Sequence, residues 1–200
     1  MVRERIILVL ASASPRRFQL LEQIGLRPDE VIAAEIDETP RAKELPRAYV
    51  ERLAREKAEA VRTGLPEAVV ARALVLGADT VVACGRRILP KAEDDATVRK
   101  CLELLSGRRH EVLTAIALLD PSGVLRTRTV STKVVFRRLC DAEIAHYVER
   151  REGLGKAGGY AVQGRAAVFA RAIHGSYTNV VGLPLTEAHA LLTACGLDAA

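Results

Sequence analysis

The chain has 200 residues, 49% hydrophobic and 28% charged, with 14 Gly and 8 Pro; this excludes disordered, collagen-like and disulfide-scaffold classes and leaves enough chain to bury a core unaided. Aromatics reach 4% with no Trp, which argues against a stacking platform for single-stranded nucleic acid. The net charge of +5 is regional: residues 126–171 hold 10 basic and 4 acidic side chains, whereas 1–125 hold 20 and 19, so that segment is either a solvated Arg-rich surface or one that attracts a polyanion.

The first element is a buried strand over Ile6 to Ala11; although Arg3 and Arg5 precede it, the run is too short for a signal peptide, and no stretch approaches the roughly 20 apolar residues of a membrane span. Ser14-Pro15 starts a helix, with Ser as N-cap and Pro at the first helical position, and the stripe Phe18, Leu21, Ile24 ends at Gly25. Val31 to Ala34 is a short strand running into the acidic stretch Glu35 to Glu38. A second helix spans about Pro46 to Thr63, its inner face marked by Val50, Leu53, Ala54, Ala58 and Val61. Leu74 to Cys84 is a strongly apolar strand. Glu93 to Asp95 open a third helix that ends at Ser106-Gly107. Val112 to Leu119 and Val124 to Phe136 form a long hairpin, followed by a short helix at Asp141 to Arg150 and a glycine-rich loop. A strand pair is expected around Val168 to Ile173 and Asn179 to Val181, then a final helix from Pro184 to Gly196. One α/β unit is the simplest organisation. The four cysteines are scattered with no C-x-x-C, as expected of reduced thiols in a cytosolic protein.

Four places break their local rule, which is where working sites tend to lie. Arg16-Arg17 put cations in the first turn of a helix, unfavourable by about 0.3–1 kcal/mol unless an anion joins them or the side chains extend into water. Lys57 falls on the apolar stripe of the second helix, so its ammonium must snorkel or meet a carboxylate or phosphate. Asp79 is a lone acid within Leu74 to Val82 and requires a cation, a metal or several hydrogen bonds; with Glu38 or Asp37 it forms a pair able to hold one divalent cation. Residues 153–164 contain five of the 14 glycines with Lys156 and Gln163, and read either as backbone approaching a ligand or as plain turns. The G-x-G-x-x-G match there follows a helix instead of a strand, so it is no dinucleotide fingerprint. His110, His146, His174 and His189 have no metal spacing and read as surface or structural.

Taken in order, Leu10-Ala11-Ser12-Ala13-Ser14-Pro15-Arg16-Arg17, Leu53-Ala54-Arg55-Glu56-Lys57-Ala58, Gly77-Ala78-Asp79-Thr80, Leu104-Leu105-Ser106-Gly107, Gly158-Gly159-Tyr160-Ala161-Val162-Gln163-Gly164 and Val180-Val181-Gly182-Leu183-Pro184-Leu185 resemble the Maf-type nucleoside triphosphate pyrophosphatases over nearly the whole chain. The resemblance implies one domain over residues 1–200, an α/β fold of two lobes around a central mixed sheet like that of the inosine triphosphate pyrophosphatases, a cytoplasmic location, commonly a homodimer, and no membrane or nucleic-acid partner. It implies hydrolysis of a nucleoside triphosphate to a monophosphate and pyrophosphate with a divalent metal, Mg²⁺ or Mn²⁺. By motif, Asp79 becomes the proton acceptor and, with Glu38, the metal-holding pair; Ser12, Arg16, Lys57, Thr80, Lys91 and Gln163 become substrate-binding. Arg16, Thr80 and Gln163 match the branch acting on dTTP and UTP. The alternatives are the same chemistry on 7-methyl-GTP or a modified pyrimidine, or a basic nucleic-acid-binding regulator, and family members are linked to arrest of septum formation. The chain departs from the family pattern at Gln19 for Glu, Ala92 for Pro after Lys91, and Gly155 for Asp before Lys156, which bears on the Lys91 and Lys156 loops.

Overall fold

Strands β1 (Ile7–Ala11), β2 (Glu30–Ile32), β3 (Ala73–Cys84), β4 (Arg87–Leu89), β5 (Arg109–Leu119), β6 (Leu125–Phe136) and β7 (Ala170–His174) build one sheet in the computed structural model, which describes residues 5–197. Their order is β2-β1-β3-β5-β6-β7, with β4 folded back on the far end of β3. β1 lies parallel to β2 and β3, and the remaining pairs are antiparallel. The sheet is therefore mixed, in the α/β class expected.

Helix α2 (Pro46–Gly64) covers one face; its Val50, Ala54, Ala58 and Val61 pack against Val9, Val75, Leu113, Ala115 and Ala117. The other face carries α1 (Pro15–Gln23), α4 (Asp95–Leu105), α5 (Asp141–Glu149) and α7 (Leu185–Ala194) over a larger core that includes Leu10, Leu76, Leu102, Ile116, Phe136 and Leu192. Strand residues alternate between these cores, so along β3 Gly77 and Asp79 face α2 while Ala78 and Thr80 face α1. Gly77 is required by proximity: a Cβ there would stand 2.3 Å from the Ala54 carbonyl oxygen and 2.8 Å from the Ala58 nitrogen. Glycine lets α2 lie directly on the sheet beside Asp79.

The expected elements are present with ends moved by a few residues, and β2 is shorter than the strand expected over Val31 to Ala34. One expectation fails. Asn179 to Val181 is not a strand but part of α6 (Tyr177–Val181). The β-branched run favours extended backbone, but Ser176 Oγ accepts from the Asn179 N–H and caps the turn, while the Asn179 side chain donates to Val112 O (2.9 Å) and Thr132 Oγ1 (3.0 Å). Capping and tertiary bonds outweigh propensity. Short α3 (Glu67–Val70), the β4 arm and the 3₁₀ turn Arg165–Val168 were not anticipated.

Candidate active site

β1 and β3 run side by side until Ala11 pairs with Gly77. There β1 turns into Ser12-Ala13-Ser14 and α1, while β3 continues through Asp79 and Thr80, paired on its other side with Ala115 and Thr114 of β5. Asp79 thus sits where its parallel neighbour has ended, at the carboxyl end of a parallel strand, the usual mouth of an α/β site. A cleft of about 770 Å³ opens at this point. Ser12, Arg16, Glu38, Lys57, Asp79, Thr80, Lys91 and Gln163, drawn from distant stretches of sequence, all line it.

The centre is ionic. Lys57 Nζ donates to Asp79 Oδ1 at 2.6 Å and lies 2.8 Å from Glu38 Oε1. Of the two fates open to Lys57 from its helical position, meeting a carboxylate is the one observed. Burial raises the Asp79 carboxyl above its ordinary value even against Lys57 and Arg17. At Glu38 burial also pushes upward, but the Lys57 hydrogen bond and charge, with Lys91 and Arg17, prevail and leave it below its ordinary value. One ammonium therefore bridges two carboxylates displaced in opposite directions. Asp37 plays no part here: its carboxylate accepts from the Thr39 N–H at 2.9 Å on the exposed side of the loop.

Arg17, paired with Arg16 in the sequence but not singled out from it, is the side chain that organises the opposite wall. It is buried, and donates through Nη1 to Ser12 Oγ (2.8 Å), through Nε to Gly182 O (2.9 Å) and through Nη2 to Thr80 Oγ1 (3.1 Å). No carboxylate lies within salt-bridge distance of it among the described residues. A guanidinium has five N–H groups, so two remain beyond those three bonds on a residue that lines the cleft. The signal was present: positions 17, 20, 21 and 24 share one helical stripe, the argument that exposed Lys57. Thr80 Oγ1 is spent on protein, also contacting Thr114 Oγ1 at 3.0 Å and donating weakly to Gly182 O at 3.4 Å. Ser12 Oγ accepts from Arg17 and from the Ser14 N–H, and its own proton has no acceptor among the described residues.

The third wall is the glycine loop. Its Ala157 bridges to Lys91, Ala92 N–H donates to Lys156 O (3.0 Å), Gly155 N–H to Ala92 O (2.7 Å) and Gly158 N–H to Pro90 O (3.1 Å). Two irregular segments thus form a ladder that brings Lys91 and Lys156 to the same cleft. Ala92 is fully buried in that ladder and donates through an N–H that a proline at this position would lack. Gly158 serves the packing: its φ is +66° and a Cβ would stand 2.9 Å from Val82. Of the two readings of this loop, turns and close chain packing account for most of the glycines, while Gly155 lines the cleft. Burial lowers Lys156, as do the charges of Arg16 and Lys91, so cations here repel one another until an anion arrives.

A divalent cation fits this donor set. Among the described residues no cluster of three or more His, Cys, Asp or Glu side chains assembles, but two carboxylates already converge on one positive charge, and a hard cation held by one or two carboxylates completes its shell with phosphate oxygens and water. Of the histidines, His110 is buried, its Nε2 2.8 Å from Tyr160 Oη, and burial lowers it to about 4; it is structural, as expected. Among the described residues no helix is long and apolar enough to cross a membrane.

The model of the family described as Maf-like protein matches residues 7–195. A dTTP/UTP pyrophosphatase of Rhodospirillum rubrum is 60% identical over 189 residues, covering 94% of this chain and 88% of its own length. One from Gluconobacter oxydans is 58% identical, covering 92% and 85%. A solved HAM1 protein from Coxiella burnetii shares the fold, with a TM-score of 0.52 at 17% identity over 95% of this chain and 100% of its own. A match that runs from the first strand to the end of the last helix leaves one assignment: the chain belongs to the Maf-like protein family.

Proposed function

We propose that the chain is a nucleoside triphosphate pyrophosphatase acting on dTTP and UTP, yielding the monophosphate and pyrophosphate. The observation that carries this reading is the Glu38–Lys57–Asp79 centre facing Arg16, Arg17, Lys91 and Lys156 across one cleft. A triphosphate brings about four negative charges, and charge-assisted hydrogen bonds to such groups contribute roughly 1.5–3 kcal/mol each. The relatives at 60% and 58% identity, both named dTTP/UTP pyrophosphatases, support the same conclusion.

In this reading Asp79, whose buried carboxyl holds a proton more readily than an exposed one, accepts a proton from water as the water oxygen bonds to the α phosphorus. The bond from that phosphorus to the bridging oxygen breaks, and pyrophosphate leaves with both electrons of the bond. Arg16, Lys91 and Lys156 meet the charge that develops on the leaving group. Arg17 holds Ser12 and Thr80 in place and turns its spare N–H groups to the phosphate chain. Glu38 and Asp79 would hold a divalent cation, Mg²⁺ or Mn²⁺, which when bound supplies electrostatic stabilisation of the phosphate oxygens. Gln163, on the rim, has one amide donor and one acceptor group, the pattern that complements the N3–H and O4 of thymine or uracil. The reading also takes the chain as a cytoplasmic homodimer in which residues 1–200 act as one unit.

The deciding experiment is pyrophosphate release from dTTP, UTP, dCTP, a modified pyrimidine triphosphate and 7-methyl-GTP, with Mg²⁺ or Mn²⁺. Turnover is expected on dTTP and UTP. A profile led by 7-methyl-GTP replaces the pyrimidine assignment, and release of orthophosphate alone removes the proposed bond cleavage.

A further inference from the structure

Glu38 stands on a stretch, residues 33–45, that has no regular secondary structure, and its side chain is 46% exposed. Such a carboxylate meets Lys57 reproducibly only if its backbone is fixed from elsewhere. The fixing comes from Tyr49, Arg52 and Glu56 of α2, the helix that also carries Lys57. Arg52 donates Nε to Glu44 Oε1 and Nη2 to Glu44 Oε2, both at 2.8 Å, and Nη1 to Glu56 Oε2 at 3.0 Å. Its Nη2 also reaches Thr39 O at 3.2 Å, the carbonyl immediately after Glu38. Tyr49 Oη donates to Glu38 O at 2.8 Å, and the Arg52 guanidinium lies 5.5 Å from the centre of the Tyr49 ring. Arg41, on the same loop, adds a bond to Glu56.

We propose that Arg52 is a positioning residue for Glu38: by forking onto Glu44 and gripping Thr39 O, with Tyr49 held beneath it, it sets the backbone from which Glu38 enters the site. This rests on the catalytic reading above for what Glu38 does, but not for the fact that it is held. Arg52 lines no part of the cleft, so whatever it contributes to turnover passes through the loop.

The test is a double-mutant cycle read by two instruments. Arg52→Lys keeps the charge and loses the planar fork. We expect kcat/KM on dTTP to fall by about 10- to 100-fold, and Mn²⁺ binding without nucleotide, followed by electron paramagnetic resonance, to weaken by a similar factor. In a Glu38→Gln background the same substitution is expected to cost less than about 2-fold further, because residues acting as a unit are not additive. Losses that multiply in the double mutant, or Mn²⁺ binding unmoved by Arg52→Lys, overturn the proposal. Should Arg52→Lys fail to fold, Tyr49→Phe, which deletes the bond to Glu38 O at a residue that itself lines the cleft, is judged by the Mn²⁺ arm without nucleotide, where unmoved binding overturns the proposal. If the wild type releases no pyrophosphate from any nucleotide the catalytic reading fails, while the Mn²⁺ arm still decides whether Arg52 acts on Glu38.

Discussion

Helix α2 carries two buried cation–carboxylate clusters five residues apart, and they are built to opposite ends. Around Arg52 every charge is matched: the Arg52 and Glu44 side chains are 7% and 9% exposed, the guanidinium is bidentate, and its hydrogen bonds hold Glu44 down at about 2 and push Arg52 itself above its ordinary value. Around Lys57 the balance is strained: burial raises Asp79, and burial lowers Arg17. Both clusters have the same ingredients, but the first has satisfied its electrostatics internally and the second leaves charge to be satisfied by a ligand. A scaffold is rigid where charges saturate one another and reactive where they do not.

The largest expected effect breaks the strained cluster. Asp79→Asn should lower the rate of pyrophosphate release by about 10²- to 10⁴-fold, the usual contribution of a general base, with the circular dichroism spectrum and Tm close to wild type. Full activity in that variant removes Asp79 from the mechanism. Glu44→Ala should do the reverse in kind. It strips the main partner from a buried guanidinium, so a loss of about 3 kcal/mol is expected, measured by urea unfolding at pH 7. The pH dependence sharpens this. Since folding depresses Glu44 from 4.5 to about 2, the stability from its ionised form is complete above about pH 4.5 and is lost as pH falls toward 2. Wild type and Glu44→Gln should therefore converge in acid and separate at neutral pH; a constant gap between their Tm values from pH 2.5 to 7 contradicts the assignment.

Gly77→Ala couples the clusters through the helix that bears them. The added methyl meets Ala54 and Ala58 backbone, so overpacking should cost about 1–3 kcal/mol, and the displacement of α2 should raise KM and lower kcat together. Unchanged kinetics would mean that Lys57 tolerates movement from Asp79. The smallest effect is at the rim: Gln163→Ala should weaken dTTP relative to dCTP by a few-fold, as expected for one or two hydrogen bonds of about 1 kcal/mol each, read as a ratio of kcat/KM values.

What could be read from the chain divides along physical lines. Asp79 and Lys57 were legible because a charge on an apolar strand or stripe is anomalous by periodicity alone, and α1 announced itself through Ser14-Pro15. Arg17 obeyed the same periodicity as Lys57 but was masked by its neighbour Arg16, since two adjacent arginines in a first helical turn do not say which one faces inward. Arg52 carried no anomaly that could be noticed, because its partners Glu44 and Thr39 are loop residues whose fold is fixed only by the contact itself. The strand expected at Asn179 failed for a related reason: the bonds from Asn179 to Val112 and Thr132 span 67 and 47 residues.

The α/β alternation, the apolar faces and the odd residues that a water-excluding core must answer for follow from the chain alone, because these depend on periods of two and 3.6 residues that any local window contains. Folding in three dimensions was needed to set Lys57 between Asp79 and Glu38, to bring Lys91 and Lys156 to one cleft through the Lys91–Ala157 bridge, and to close Arg52 on the loop beside Glu38. Each is a meeting of side chains or backbone from separate segments. Coulomb and hydrogen-bond energies depend on ångström separations that chain position does not encode.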